Sequence, residues 1–202
     1  MKVLTSLLFY LFFFPFGANA YIPDKAIAFS SEQLSVGKML VASNNIKGSI
    51  FEKSVILLTH HDQGGDMGLI INKPSMYQVR EVYPGFVMDG DAGRLFVGGP
   101  VISAVLSVLQ KRNNDAGVEG LKGVLPHIFH RFVSPNDNPD IYFSADVERV
   151  RFYSGYAGWG KGQLIREINQ GGWYVIDGDP SVVFDDNADS LWQTLMRRVS
   201  GK

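Results

Sequence analysis

The sequence predicts a single α+β domain built on a mixed β-sheet. Three observations carry that expectation. Apolar residues fall mostly in short, β-branched runs punctuated by Gly, Pro and Asn, the pattern of strands rather than helices. Two segments towards the C-terminus carry helical signals instead. Finally, 202 residues without an internal repeat or a low-complexity linker are about one domain's worth.

Taken in order, residues 21–36 read as a loose polar leader ahead of a domain over 37–202. Residues 38–43, 54–59 (SVILLT) and 68–72 (GLIIN) read as strands. The last two are joined through 60–67, where Asp62-Gln63-Gly64-Gly65-Asp66 is strong turn chemistry. Pro74 ends the third run, because the residue before proline is pushed away from helix. Residues 95–97 lead into the hard stop Gly98-Gly99-Pro100. Residues 101–112 fit a helix (Val101, Val105, Val108, Leu109) or a buried strand equally well. Two polar loops follow at 113–123 and 134–140. Residues 150–153 read as a strand, 155–162 as a glycine-rich loop, and 163–169 as a helix stopped by Gly171-Gly172. Strands at 173–176 and 182–184 precede the last helix. There Leu191, Trp192, Leu195, Met196 and Val199 make one apolar stripe, with Asp186 or Asn187 available as its cap.

The first twenty residues differ from the rest. Lys2 is their only charge, and the apolar run from Val3 to Phe16 holds five of the fourteen phenylalanines. Ala18-Asn19-Ala20 supplies small residues at the −3 and −1 positions of a cleavage site, which is how a secretory signal peptide is built. As a helix the run would be about 21 Å long, short of the ~30 Å hydrocarbon core of a membrane. The expectation is therefore a signal peptide over 1–20, cleaved after Ala20, and a periplasmic or secreted protein with no stable membrane span. Nineteen basic against twenty acidic residues leave a net charge of −1, without the basic surplus of a nucleic-acid binder. An apolar content of 46% excludes a disordered chain, and zero cysteines exclude a disulfide-stapled one.

The chemistry-bearing constellations are few. Residues 155–162 have the form G-x-x-x-x-G-K-G, but a P-loop needs Ser or Thr at the last position to ligate magnesium, and here it is Gly162. Backbone N–H groups near Gly160–Gln163 would still favour an anion if a helix starts there. The histidines occur as His60-His61 and His127-x-x-His130, which is poor spacing for one metal ion, and no H-E-x-x-H is present. No nucleophile elbow exists, and no serine stands in a catalytic setting. His61 with Asp62 or Asp66 as its orienting partner is the one candidate for general-base hydrolysis. Basic side chains are scattered, and neither Arg149/Arg151 nor Arg197/Arg198 makes a phosphate-tracking stripe. No cofactor and no metal are expected.

Several segments stand out together: Gly37-Lys38-Met39-Leu40-Val41-Ala42, Phe51 with Ser54-Val55-Ile56-Leu57, His61 leading to Gly65, and Gly68-Leu69-Ile70-Ile71-Asn72-Lys73-Pro74. Gly98-Gly99-Pro100-Val101, the run Gly155-Tyr156-Ala157-Gly158-Trp159-Gly160 and Gly162-Gln163-Leu164 follow, with Trp173, Phe184 and Trp192 beyond. In this order they resemble the AlgH/YqgE family, over roughly residues 35–200. The resemblance implies a strongly bent, partly barrel-like sheet flanked by helices, and it implies no reaction. The family is sometimes labelled a transcriptional regulator, a role an exported protein would not fill because it does not meet the chromosome. Lys161, Ile165 and His60 depart from the family pattern, and Lys161 explains the near-P-loop as a local substitution.

The expected function is a non-enzymatic ligand- or partner-binding module, for a small anion or a peptide or protein segment. Its surface would come from His61, Asn72, Lys73, Gly98, Gly99, Tyr156, Trp159, Gly160, Gly162 and Gln163. A hydrolase using His61 is the alternative, and a regulator the third reading.

Overall fold

The computed structural model describes residues 28–84, 86, 93–113, 120–134 and 137–200. The expected signal peptide and the leader up to residue 27 lie outside the described residues, as do parts of the expected loops at 113–123 and 134–140. The described chain forms one ten-stranded sheet with a few helices, an α+β fold. Its strands are β1 (Met39–Ala42), β2 (Val55–Asp62), β3 (Gly65–Ile70), β4 (Pro74–Gln78), β5 (Arg94–Val97), β6 (Val101–Arg112), β7 (Lys122–Leu125), β8 (Ile128–Phe132), β9 (Val147–Gly160) and β10 (Trp173–Ile176). Its helices are α1 (Val79–Val82), α2 (Gln163–Asn169), α3 (Pro180–Val183) and α4 (Ala188–Val199).

The main path runs β10-β1-β2-β3-β9-β6-β8-β7, and β4 joins it through β5, which pairs with β9. Every pairing is antiparallel except β5 with β9, which is parallel. The outer strands β10 and β7 do not pair with one another, so the sheet is open. The partly barrel-like closure implied by the resemblance is not found.

Strands β1, β2 and β3 read as unbroken apolar runs because the sheet is covered on both sides. Alternate residues serve different cores, since successive side chains point to opposite faces. Met39, Val41, Val55, Leu57 and Leu69 pack with Leu191, Leu195 and Met196 of α4. Leu40, Ala42, Ile56, Leu58 and Ile70 pack instead with Leu164 of α2, Trp159 and Trp173. A third cluster beneath β6 and β9 gathers Val79, Phe86, Tyr142 and Phe152. Among the described residues no helix is long and apolar enough to cross a membrane.

Four sequence expectations change. Residues 101–112, ambiguous in sequence, are the strand β6. Residues 60–67 are mostly strand, and the turn shrinks to Gln63-Gly64 between the paired residues Asp62 and Gly65. Residues 182–184 are not a strand but part of α3 and its cap: Asp179 accepts from Ser181 N and Pro180 occupies the first helical position. Most consequential, the expected loop 155–162 is the end of β9, a strand through Gly160. Its glycines and their partners let backbones meet closely. A Cβ on Gly99 would lie 2.1 Å from the Tyr156 carbonyl carbon, and one on Gly65 would lie 2.2 Å from the Trp159 oxygen.

Strands β7 and β8 had no counterpart in the sequence reading. The described part of the expected loose leader is docked: Leu34 is buried, and the Phe29 backbone exchanges two hydrogen bonds with the Asn169 side chain (2.8 and 3.0 Å). Helix α2 and strand β10 coincide with the expected 163–169 and 173–176.

Candidate functional site

The β2–β3 hairpin delivers the His61 constellation. His61 and Asp66 are register partners on adjacent strands, and His61 Nδ1 lies 2.6 Å from Asp66 Oδ1. Asp66 is buried while His61 keeps a quarter of its side chain exposed. Asp62 does a different job. One of its oxygens accepts from Gly64 N (2.7 Å) and Gly65 N (3.2 Å), and the other meets His60 Nε2 at 2.8 Å. The Gly64 bond above all, then His60, holds the Asp62 carboxyl below its ordinary range. Of the two expected partners, the geometry gives His61 to Asp66 and leaves Asp62 to close the turn.

The other expected binding residues are engaged in the fold. Asn72 is buried, accepting from Val55 N (2.8 Å) and donating to the Lys53 carbonyl (3.0 Å). Lys73 Nζ donates to the Glu52 carbonyl at 3.0 Å, and burial lowers its pKa. Gly98 and Gly99 lie against the backbone of β9. Gly160 N, expected to be open to an anion, donates to Gln163 Oε1 at 3.2 Å, and Gln163 Nε2 donates to Glu167 Oε1 at 3.0 Å. Gly162 supplies the left-handed residue (φ 69°) before α2. Tyr156 packs on the core under α4 and Trp159 on the core under α2, so they occupy opposite faces of β9. The expected surface therefore does not come together as one patch.

Glu167 is the centre of a separate aromatic cluster. Its Oε2 accepts from the indole N–H of both Trp159 (3.0 Å) and Trp173 (2.9 Å), and Phe51 lies against both rings. Buried indole donors need such an acceptor. Glu167→Gln keeps one acceptor oxygen but removes the charge, so stability should fall by about 1 kcal/mol in urea unfolding followed by tryptophan fluorescence.

A cavity of about 290 Å³ opens elsewhere, between β5, the first half of β9 and the start of α4. Phe96, Phe143, Phe184 and Val147 wall it, and Arg94, Arg149 and Arg151 line it. Its position follows from the sheet: Arg149 and Arg151, two residues apart on β9, emerge on one face. Arg149 pairs with Asp186 and donates to the Phe184 carbonyl at 3.3 Å. Arg151 is only 8% exposed. Its Nη1 donates to the Val183 carbonyl (2.9 Å) and its Nη2 to the Asp185 carbonyl (3.2 Å). The guanidinium carbon sits 4.2 Å from the Phe96 ring centre and 5.6 Å from that of Phe184, so neutral carbonyls and aromatic faces surround its charge. Sequence reasoning noted the 149/151 pair, but the cavity draws on residues from Pro74 to Asp189 that no local pattern links.

Fold and site together define a single-domain α+β protein with an arginine-lined cavity beside β9. The chain belongs to the AlgH-like family (DUF179), whose model matches residues 39–202. It is 32% identical over 176 residues to a UPF0301 protein of Chlorobium luteolum, covering 85% of this chain and 89% of that protein. It is also 32% identical to a UPF0301 protein of Mycobacterium tuberculosis, over 87% of this chain and 88% of that one. Among solved structures, a Corynebacterium diphtheriae protein superposes with a TM-score of 0.72 at 26% identity, over 85% of this chain and 90% of that one. The solution structure of AlgH from Pseudomonas aeruginosa superposes with a TM-score of 0.65 at 24% identity, over 85% and 92%, a likeness of fold.

Proposed function

We propose that this protein is an exported, non-enzymatic binding module whose ligand occupies the cavity between β5, β9 and α4. The observation that carries the reading is Arg151, a buried guanidinium lining the cavity with no carboxylate paired to it among the described residues. A charge held in that way is costly unless something completes its surroundings. Aromatic walls around a few convergent polar groups are how small-molecule sites are commonly made. Export rests on the build of residues 1–20.

Gentle mass spectrometry of the intact protein from separated periplasmic and cytoplasmic fractions tests both parts. The expected species starts at Tyr21, comes from the periplasm and carries extra mass that denaturation releases. A cytoplasmic chain retaining Met1 would overturn export. A chain that never carries extra mass, and binds nothing in a small-molecule screen, would overturn the binding reading.

The 2.6 Å His61–Asp66 contact favours one second reading, a hydrolase with His61 as base. The binding module predicts otherwise for His61→Ala: ligand retention unchanged, and stability lower by about 1–2 kcal/mol because the buried Asp66 carboxylate loses its partner. Turnover of p-nitrophenyl esters or phosphates by the wild type, abolished in this variant at unchanged melting temperature, would favour the enzyme.

A further inference from the structure

We infer that the cavity between β5, β9 and α4 takes a small organic anion: a carboxylate or phosphate on a compact apolar, ring-sized body. The inference rests on reading this cavity as the ligand site, and adds the chemistry of the ligand. Two features bring positive charge to one space, the Arg151 guanidinium and the start of α4. Arg151 contributes a buried guanidinium whose bonds run to two neutral carbonyls, leaving its charge without a counter-ion among the described residues. Arg94 and Arg149, the latter paired with Asp186, also line the cavity. The start of α4 borders the same space, where Ala188 and Asp189 line the cavity and Asn187 makes no side-chain capping bond. A twelve-residue helix presents its first-turn N–H groups and the positive end of its dipole there.

The acidic side chains of the lining do not cancel this charge at Arg151. Glu148 is held by Lys111 (2.6 Å) and Asp186 by Arg149, while Asp189, in the first turn of α4, is exposed to solvent. A planar carboxylate or a phosphate oxygen pair is the natural complement of a guanidinium fork. The remaining wall selects the body of the ligand. Phe96, Phe143 and Phe184 offer ring faces and edges, and about 290 Å³ is at the small end of ligand sites. An extended peptide or a large nucleotide does not suit that space.

The test is a titration of the mature chain followed by backbone amide NMR, with four probes sharing one ring: benzoate, phenyl phosphate, benzyl alcohol and benzylamine. Benzoate, phenyl phosphate or both should shift the amides of Phe96, Arg151 and Ala188 saturably. The neutral and cationic probes should bind there at least about tenfold more weakly. The stronger of the two anions identifies carboxylate or phosphate as the preferred group. Arg151→Met should weaken the anion by at least about tenfold and leave benzyl alcohol unchanged. Because the four-probe comparison uses the wild type, it decides the matter even if that variant does not fold. Benzyl alcohol binding as tightly as benzoate would overturn the anion assignment while leaving the cavity a ligand site. No shift at the three amides with either anion would overturn the inference, and the binding reading would then stand or fall on the extra mass of the native protein.

Discussion

Gly99→Ala is expected to destabilise the protein by about 3 kcal/mol, read as a lowered urea midpoint at unchanged slope. The added Cβ would stand 2.1 Å from the Tyr156 carbonyl carbon and 2.3 Å from Ala157 N. Both neighbours are backbone in β9, so no side chain can rotate out of the way. Relief requires the segment before β6 to part from β9, which also strains the pairing of Val101 with Tyr156. Gly123→Ala is the matched control. Its Cβ would meet nothing nearer than the Phe129 ring at 3.8 Å, and its midpoint should stay close to wild type. Equal midpoints for the two variants would show that the close approach at Gly99 does not hold the sheet together.

Acid should weaken the fold through His130. This histidine sits in β8 at 4% exposure, edge-on to Phe132, with no partner for Nε2 among the described residues. Burial, helped by the nearby Lys122 charge, lowers its pKa from 6.5 to about 4. The neutral ring is therefore the form the fold accepts. Unfolded chains bind a proton at His130 below pH 6.5 that folded chains refuse until about pH 4. The stabilisation is complete above 6.5 and disappears as pH falls across that window. The loss should be on the order of 3 kcal/mol. Urea unfolding at several pH values should show that slope, and His130→Leu should flatten it. An unchanged slope in that variant would place the acid sensitivity elsewhere.

The residues that sequence reasoning placed well were those whose environment is local. Helix α2 carries its own stop in Gly171, in the left-handed region at φ 76°, and β10 follows at once. The stripe of α4 showed because it is buried along one side only, with Leu191, Leu195 and Met196 inside. Errors arose where a distant partner decides. Four glycines in 155–160 and 162 depress strand propensity, yet β3, β5 and β6 all lie against β9 and demand narrow residues there. Residues 182–184 are β-branched and aromatic, but the Asp179-Pro180 start outweighs that preference.

The candidate site divides in the same way. His61 and Asp66 face each other across a two-residue turn, so six consecutive positions held the pair, with Asp62 as the alternative partner that only the strand register removes. Asn72 and Gln163 looked like recognition groups because polar side chains in glycine-rich surroundings usually face water. In the structure each meets backbone instead: Asn72 bridges Val55 and Lys53, brought from a distant turn and strand, and Gln163 receives Gly160 just ahead of it. Arg151 was invisible as a cavity residue for the opposite reason. Its surroundings come from Phe96 on one side and Phe184 on the other, and nothing near it in the chain announces either.

β9 also fixes the order in which this molecule can be assembled. Without it the sheet separates into three pieces: β10-β1-β2-β3, the β4–β5 pair, and β6-β8-β7. The β2–β3 and β7–β8 hairpins can form as soon as their own residues exist, but Gly65 must wait for Gly160. Folding governed by such distant pairings is slow, since loop closure must precede the contacts that reward it. A chain emerging from its N-terminus therefore carries unpaired strand edges until its last quarter arrives, and during that interval it is prone to aggregate. Under the export proposed above, that delay would keep the chain unfolded while it crosses the membrane.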